Sequence, residues 1–245
     1  MSLRLHNRHS PDAVAAPQAA SRTGEDTERI GTPAESARTT RQPIPAEVLE
    51  SCAGALAGMG GPTARSIAVT SCHRGEGRST VSLALGLLER TTYERRTLLV
   101  ELDFERPCLA TALGLPDGPG VADVLRDEMT VESTLRWTDD DLAVLTAGEA
   151  RGAPEALLAR VAAGDLLDVL GGLFETVVVD LPPLEGTGSA ALVARRCSTP
   201  LLVVRAGAAE RRDIEKAVAM FDSPPPVLMN GVSPRRAQTA RRRSR

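Results

Sequence analysis

The sequence predicts an α/β fold in which helices cover both faces of a mostly parallel sheet. From Ser66 onward, short aliphatic runs alternate with stretches of helical periodicity. Runs such as TVVVDLP (176–182) are apolar at successive positions, which indicates strands buried on both faces, as in parallel sheets. Only 2% of the residues are aromatic, so the core of this sheet must be built from Leu, Val and Ala.

The elements follow from local patterns, taken in chain order. A weak helical pattern at 45–59 ends at a Gly-Gly-Pro break. Apolar runs then predict strands at 66–71, 97–103, 142–148, 176–182, 200–207 and 226–232. Apolar residues at helical spacing between them predict helices at 80–90, 154–174 (one helix or a pair), 188–197 and 211–221, and short helices within 109–115 and 121–128. Right-handed crossovers then bring the carboxyl ends of the strands to one edge, where ligands bind.

The composition predicts one domain at 45–233, between a disordered arm (1–44) and a basic disordered tail (234–245). A net charge of −3 and the few aromatic residues disfavour a base-stacking nucleic-acid binder. No apolar run is long enough to span a membrane and no secretory leader is evident, so a cytoplasmic protein is expected, with membrane contact only through a partner. The four cysteines are scattered and predict neither a zinc site nor a disulfide framework.

A glycine-rich loop, SCHRGEGRST (71–80), joins the first strand to a helix. Backbone N–H groups in such a loop can bind phosphate oxygens, and the spacing resembles a Walker A motif. Ser79 stands at the position of the Mg²⁺-binding hydroxyl, and we expect the nucleotide contacts to come from Cys72, Gly75, Glu76, Gly77, Arg78, Ser79 and Thr80. The alternative interpretation is a simple helix-capping turn.

Arg78 replaces the lysine of that motif. The exchange is not conservative, because lysine is a slim point charge whereas arginine is planar and prefers forked pairing. Lys216, the only lysine of the chain, lies on a late helix and is not expected to compensate. We therefore expect impaired hydrolysis at this loop. His73 is interpreted as an exposed loop residue without a special role.

Two aspartates follow apolar strands at the edge where the loop lies. Asp103 ends LLVELD and Asp180 ends TVVVD. One carboxylate can hold the Mg²⁺ shell while the other orients the attacking group or takes its proton. Ser79, Asp103 and Asp180 are thus the candidate metal residues, and Arg78, Asp103 and Asp180 the candidate catalytic residues. Either aspartate alone could instead be a capping residue.

These motifs, in this order, resemble the bacterial tyrosine kinases of capsule and exopolysaccharide export, which are CpsD/CapB-like relatives of the MinD/ParA-type P-loop ATPases. The resemblance spans roughly 45–233 and implies a MinD/ParA-like P-loop NTPase fold that binds ATP and Mg²⁺. It also implies that Asp103 belongs to a second Walker A-like motif, that Asp180 is the Walker B residue, and that Asn230 touches adenine. A membrane polysaccharide co-polymerase or adaptor, or an active paralogue, is the implied partner, and a homo-oligomer is a further expectation.

The chain departs from that family at several positions. Glu101 replaces the first aspartate of the second motif, and Glu105 replaces a common arginine. The helix at 47–56 lacks the family's docking pattern. The C-terminal tyrosine cluster is absent from the tail, and Tyr93 is the only tyrosine. These departures favour a regulatory or weakly active homologue.

Two alternatives stay open. One is an active ATPase or tyrosine kinase that phosphorylates a partner in trans. The other is a partition- or positioning-type ATPase that binds anionic membrane or nucleic acid through its Arg-rich tail. A solvated tail without a partner is an equally good interpretation of those arginines.

Overall fold

The structure is a computed structural model that describes residues 43–59, 66–186 and 188–231. The predicted tail (234–245) and almost all of the predicted arm (1–44) lie outside these residues. The described part contains a seven-stranded sheet with strand order β3-β4-β2-β5-β1-β6-β7. Every neighbouring pair is parallel except β3 and β4. The predicted α/β fold with a mostly parallel sheet is confirmed.

The elements have the following bounds. The strands are β1 Ser66–Ser71, β2 Thr97–Glu101, β3 Arg136–Trp137, β4 Ala143–Leu145, β5 Thr176–Asp180, β6 Thr199–Arg205 and β7 Val227–Asn230. The helices are α1 Ala46–Gly58, α2 Arg78–Thr91, α3 Leu109–Leu113, α4 Val121–Leu125, α5 Val131–Thr134, α6 Pro154–Ala163, α7 Leu166–Leu173, α8 Gly188–Arg196 and α9 Arg211–Val218. None of the helices in the described ranges is both long enough and apolar enough to cross a bilayer.

The central strands are buried on both faces, as their apolar runs predict. Every residue of β2 and β5 is buried. Alternate residues such as Ile67, Leu99 and Val178 join one core cluster with α1, α2 and α3. The residues between them point to the opposite face, which α7 and α8 cover through contacts with β5 and β1. The core is aliphatic, in line with the composition.

Two details differ from the predicted elements. The short helix α5 and the two-residue strand β3 were not predicted, and β3 adds an antiparallel edge. The predicted strand at 142–148 is a strand only over Ala143–Leu145. The stretch 154–174, predicted as one helix or a pair, is the pair α6 and α7, separated at Gly164 and Asp165. The break falls at Gly164, because glycine destabilises a helix interior; its backbone there is extended, with φ −90° and ψ −170°.

The topology determines which side chains meet at the carboxyl edge of the sheet. Strand β5 lies between β1 and β2. In this register Asp180 pairs with Val69 of β1, just before the glycine-rich loop, and with Glu101 of β2. The loop after β1, the end of β5 and the segment after β2 are therefore neighbours.

Candidate functional site

The glycine-rich loop connects β1 directly to α2, the long helix that begins at Arg78. Gly75 and Gly77 have φ angles of +79° and +92°, a left-handed conformation that favours glycine. The space around Gly75 is open, since a Cβ added there would meet no atom within 4 Å, whereas a Cβ on Gly77 would collide with the Asn230 amide. The loop thus presents open backbone at the N-terminus of a long helix, which is an arrangement suited to anions.

Glu76 fixes the shape of this loop. Its side chain is buried, and its carboxylate accepts hydrogen bonds from the backbone N–H of His73 at 2.8 Å and of Arg205 at 3.2 Å. The Asn230 side-chain amide donates to the Glu76 carbonyl at 2.9 Å. The sequence predicted nucleotide contacts for Glu76 and Asn230. The structure places both side chains in bonds that hold the loop against β6 and β7.

Arg78 is buried at the start of α2, and its guanidinium points to the sheet edge. Nη2 lies 3.0 Å from Asp103 Oδ2, and Nη1 donates to the Leu181 carbonyl. The forked guanidinium thus bridges the ends of β2 and β5, which is the paired geometry that arginine prefers. In this conformation the side chain is engaged away from the loop backbone.

Asp103 is held by a second arginine as well. Arg74 of the loop donates to the same Oδ2 at 3.0 Å and also pairs with Glu105. The other oxygen, Oδ1, accepts from the Arg106 backbone N–H at 3.1 Å. The side chain of Asp103 is only 4% exposed, whereas Arg74 is partly exposed and Glu105 is exposed, so only the pair of Asp103 with Arg78 is buried on both sides. Both oxygens of this candidate catalytic carboxylate therefore have partners.

Asp180 differs in that one of its oxygens has no hydrogen-bond partner among the described residues. The residue is fully buried, and Oδ1 accepts from the Ser82 hydroxyl at 2.9 Å. Within the described residues Oδ2 has no hydrogen-bond partner. Burial raises the pKa of this carboxyl, while the Arg78 charge and the Ser79 hydroxyl oppose the shift. A buried oxygen without a partner next to the Ser79 hydroxyl fits a bound cation.

Glu101 lies beside Asp180 on the next strand and is also fully buried. Its Oε1 accepts from the backbone N–H groups of Cys108 and Leu109, the latter at 2.9 Å. Burial raises the pKa of Glu101 to about 7; the backbone N–H donors oppose this rise and the neighbouring Asp180 contributes to it. The Glu101 carboxylate therefore anchors the chain that follows Asp103.

Cys108 is a site neighbour that the sequence did not reveal. A ligand atom from each of Glu101, Cys108 and Asp180 lies within 4.8 Å of the other two. The one hint in the sequence is that Cys108 follows Asp103 closely, but no known cysteine spacing identifies it as a site residue.

His73 has a more specific environment than predicted. Nδ1 lies 2.7 Å from Glu185 Oε2, and Nε2 lies 3.3 Å from Asp213 Oδ2. These hydrogen bonds raise the pKa of His73. A cavity of about 280 Å³ adjoins this cluster, and Lys216 is part of its lining. His73 therefore links the loop to α9 and to the chain after β5, and the expectation of a simple exposed loop residue was wrong.

Comparisons with known proteins agree with this geometry. No protein-family model matches the chain. It is 28% identical over 162 residues to the tyrosine-protein kinase CpsD of Streptococcus pneumoniae serotype 4, covering 65% of this chain and 70% of that protein. It is 26% identical over 154 residues to the tyrosine-protein kinase YwqD of Bacillus subtilis, covering 62% of this chain and 65% of that protein. The chain thus spans about two thirds of these relatives.

Solved structures extend the comparison. The kinase domain of VpsO matches with a TM-score of 0.66 at 25% identity, over 76% of this chain and 97% of that one. The kinase domain of the Escherichia coli tyrosine kinase ETK has the same fold, with a TM-score of 0.70 at 19% identity. This match covers 81% of this chain and 84% of that one. The cell-division ATPase MinD of Pyrococcus furiosus shares the fold, with a TM-score of 0.58 at 21% identity. This match covers 72% of this chain and 78% of that one.

The chain thus has a fold of the MinD/ParA-like P-loop class. Within that class, the chain is similar to the CpsD/CapB-like bacterial tyrosine kinases, and the resemblance predicted from its motifs is confirmed.

Proposed function

We propose that the chain is a CpsD/CapB-like P-loop ATP-binding protein of capsular or exopolysaccharide biosynthesis, acting as a regulatory or weakly active tyrosine-kinase homologue. The observation that carries this proposal is the open loop around Gly75 at the start of α2, next to the free oxygen of Asp180. ATP would bind through the loop's backbone N–H groups and the helix N-terminus.

The residues that would hold Mg²⁺ are Ser79 and Asp180. Bound with ATP, the ion would supply charge neutralisation at the phosphate oxygens. A structure of a cobyrinic acid a,c-diamide synthase with an ATP analogue and magnesium, which matches with a TM-score of 0.52 at 25% identity over 67% of this chain and 71% of that one, supports this choice of ligand. Asp103, the third residue predicted for the metal, would be available only after its ion pairs with Arg74 and Arg78 open.

The weak activity in this proposal rests on the Arg78–Asp103 ion pair. A P-loop lysine would reach the β- and γ-phosphates, whereas Arg78 bonds Asp103 at 3.0 Å and the Leu181 carbonyl. The same ion pair occupies the carboxylate proposed for proton transfer. Phosphoryl transfer depends on positioning and charge stabilisation, so engaging both groups with each other slows it.

The only tyrosine of the chain supports a regulatory role. Tyr93 is partly buried and packs against the core cluster beside α2. A phosphoryl acceptor must reach the nucleotide from solvent, and a side chain packed on the core does not. Phosphorylation, where it occurs, would therefore fall on a partner protein. By resemblance, that partner is a membrane polysaccharide co-polymerase or adaptor, or an active paralogue, and it would bring the chain to the membrane.

Nucleotide binding is the test of this proposal. The melting temperature of the full chain is measured with ATP, with and without Mg²⁺, for the wild type and for Ser79→Ala. We expect ATP to raise the melting temperature, Mg²⁺ to add to the rise, and Ser79→Ala to lose the part that depends on Mg²⁺. Ser133→Ala, at an exposed serine of α5, is the matched control and should behave like the wild type. The absence of any stabilisation by ATP would refute nucleotide binding.

Activity is tested on the same protein. Incubation with ATP and Mg²⁺ should give slow phosphate release and no phosphotyrosine on the isolated chain. Fast release, or phosphotyrosine at Tyr93, would contradict the regulatory interpretation and favour an active kinase.

A further inference from the structure

The cluster of Glu101, Cys108 and Asp180 offers two carboxylates and a thiol around one small volume. Their ligand atoms lie within 4.8 Å of one another. In a tetrahedral zinc site, with Zn–S of about 2.3 Å and Zn–O of about 2.0–2.2 Å, ligand atoms are about 3.5 Å apart. Side-chain rotations that move the ligand atoms by about 1 Å would therefore let all three groups bind one ion.

Asp180 Oδ2, the oxygen also proposed for Mg²⁺, is a second sign that this volume takes a cation. The residue is 0% exposed, and the oxygen has no hydrogen-bond partner in the described ranges. A buried polar atom without a partner is costly, and natural proteins rarely keep one without a ligand. Glu101, also 0% exposed, pairs with Asp180 in the strand register, so two buried carboxylates face each other across neighbouring strands. A cation between them would give Asp180 Oδ2 a partner and would offset the repulsion between the two buried carboxylates.

Cys108 determines the class of cation. Mg²⁺ and Ca²⁺ are hard ions that take oxygen ligands, whereas a thiolate favours zinc and related thiophilic metals. Cys108 is exposed and forms no disulfide, so it is accessible from solvent. Three protein ligands with an open fourth position is a recurrent zinc arrangement.

We propose that Glu101, Cys108 and Asp180 form a three-ligand site for a thiophilic divalent cation, with Zn²⁺ as its representative. On binding, the Cys108 thiol loses its proton to solvent and the sulfur bonds the metal. Because Asp180 is also the residue proposed for Mg²⁺, Zn²⁺ excludes the Mg²⁺–nucleotide complex. That consequence rests on the proposed function, whereas the metal site itself does not.

The site is tested by titrating the reduced, metal-free full chain with Co²⁺ in the absence of nucleotide. Co²⁺ bound by a thiolate gives a charge-transfer band in the near ultraviolet, which the three histidines of the chain do not produce. We expect this band to saturate at one equivalent of Co²⁺ and to disappear on adding Zn²⁺. Cys108→Ser should lose the band, and Glu101→Gln should weaken Zn²⁺ binding by about tenfold or more.

Cys197→Ser is the matched control. Cys197 is buried and its sulfur lies 3.7 Å from the Val193 carbonyl, which a serine hydroxyl can also bond. This variant should keep the wild-type band and affinity. A band that survives in Cys108→Ser, a Glu101→Gln variant with unchanged affinity, or no thiolate band in the wild type would each overturn the proposed site. A wild type that binds Zn²⁺ but not ATP would keep the metal site and reject the proposed function.

Discussion

Arg78 and Asp103 form a buried ion pair, with Nη2 of the arginine 3.0 Å from Oδ2 of the aspartate. The side chains are 8% and 4% exposed, so water screens this pair only weakly. Arg78, at the position of the Walker A lysine, is thus directly bonded to the candidate catalytic carboxylate of Asp103. The substitution at position 78 therefore makes both Arg78 and Asp103 less available to a bound nucleotide.

Arg78→Lys tests this relationship. Lysine has no planar fork and cannot hold Asp103 and the Leu181 carbonyl together, so its ammonium is free to reach phosphate oxygens. We expect nucleotide affinity or phosphate release to rise by about tenfold or more, equal to about 1.4 kcal/mol. Isothermal titration with ATP and a phosphate-release assay measure the two quantities.

The control for this exchange is Arg90→Lys on the same helix. Arg90 bonds the Asp141 carbonyl at 3.0 Å, outside the loop. The Arg90→Lys variant should leave nucleotide affinity and phosphate release unchanged. If Arg78→Lys brings no gain, the site is either adapted to arginine or limited by another departure, and the explanation by the ion pair is wrong.

Gly77→Ala is expected to destabilise the loop. Gly77 has a φ of +92°, and a Cβ added there would collide with the Asn230 side chain. A strained backbone of this kind costs on the order of 1–3 kcal/mol. The free energy of unfolding in urea measures the loss, and ATP binding should fall with it.

Gly171→Ala provides the contrast. Gly171 lies inside α7, and a Cβ there meets no atom within 4 Å. Alanine favours helix over glycine by about 0.5–1 kcal/mol, so this variant should be unchanged or more stable. Equal losses in the two variants would show that the loop conformation has no special requirement for glycine at 77.

Glu76→Gln tests the buried anchor of the loop. The carboxylate accepts from two backbone N–H groups, and an amide keeps only one oxygen for them. Leaving a buried donor without a partner costs about 1–3 kcal/mol. Urea unfolding should show this loss, whereas the exposed Glu50→Gln on α1 should stay within about 0.5 kcal/mol of the wild type. A Glu76→Gln variant as stable as the wild type would mean that the loop keeps its shape without this carboxylate.

His73 predicts a pH dependence. Hydrogen bonds to Glu185 and Asp213 raise the pKa of His73, so its stabilisation is complete below the unfolded value of about 6.5 and is lost as pH rises through the folded pKa. His73 in turn lowers the pKa of Asp213, so the contact is also lost in acid, as pH falls through that lowered value. The melting temperature of the wild type minus that of His73→Gln should therefore be largest near pH 5–6 and shrink above the folded pKa. A difference independent of pH would show that the interaction does not involve the charged imidazole.

The fold was largely predictable because its signals are local. The buried parallel strands β1 and β5 each contain an aliphatic run, and the loop spacing identifies the connection between β1 and α2. Strand β3 escaped prediction because it has only two residues, Arg136 and Trp137, and its pairing with β4 is a tertiary contact. Patterns that need many residues do not detect such an element.

The candidate site was predictable only in part. Spacing and strand ends pointed to Arg78, Asp103 and Asp180, but no local pattern states which side chains bond one another. The engagement of Arg74 with Asp103, and the approach of Cys108 to Asp180, arise from segments that meet only after folding. The roles of such residues depend on side-chain orientation, which sequence spacing does not fix.

The carboxylate of Glu76 has a consequence for the thermodynamics of anion capture. Because it ties the loop to the end of β6, the conformational entropy of that segment is already lost before an anion binds. An entering anion then meets a preorganised receptor and needs little further ordering of the backbone. Its association should accordingly show a small unfavourable entropy change, unlike that of a loop which folds around its ligand.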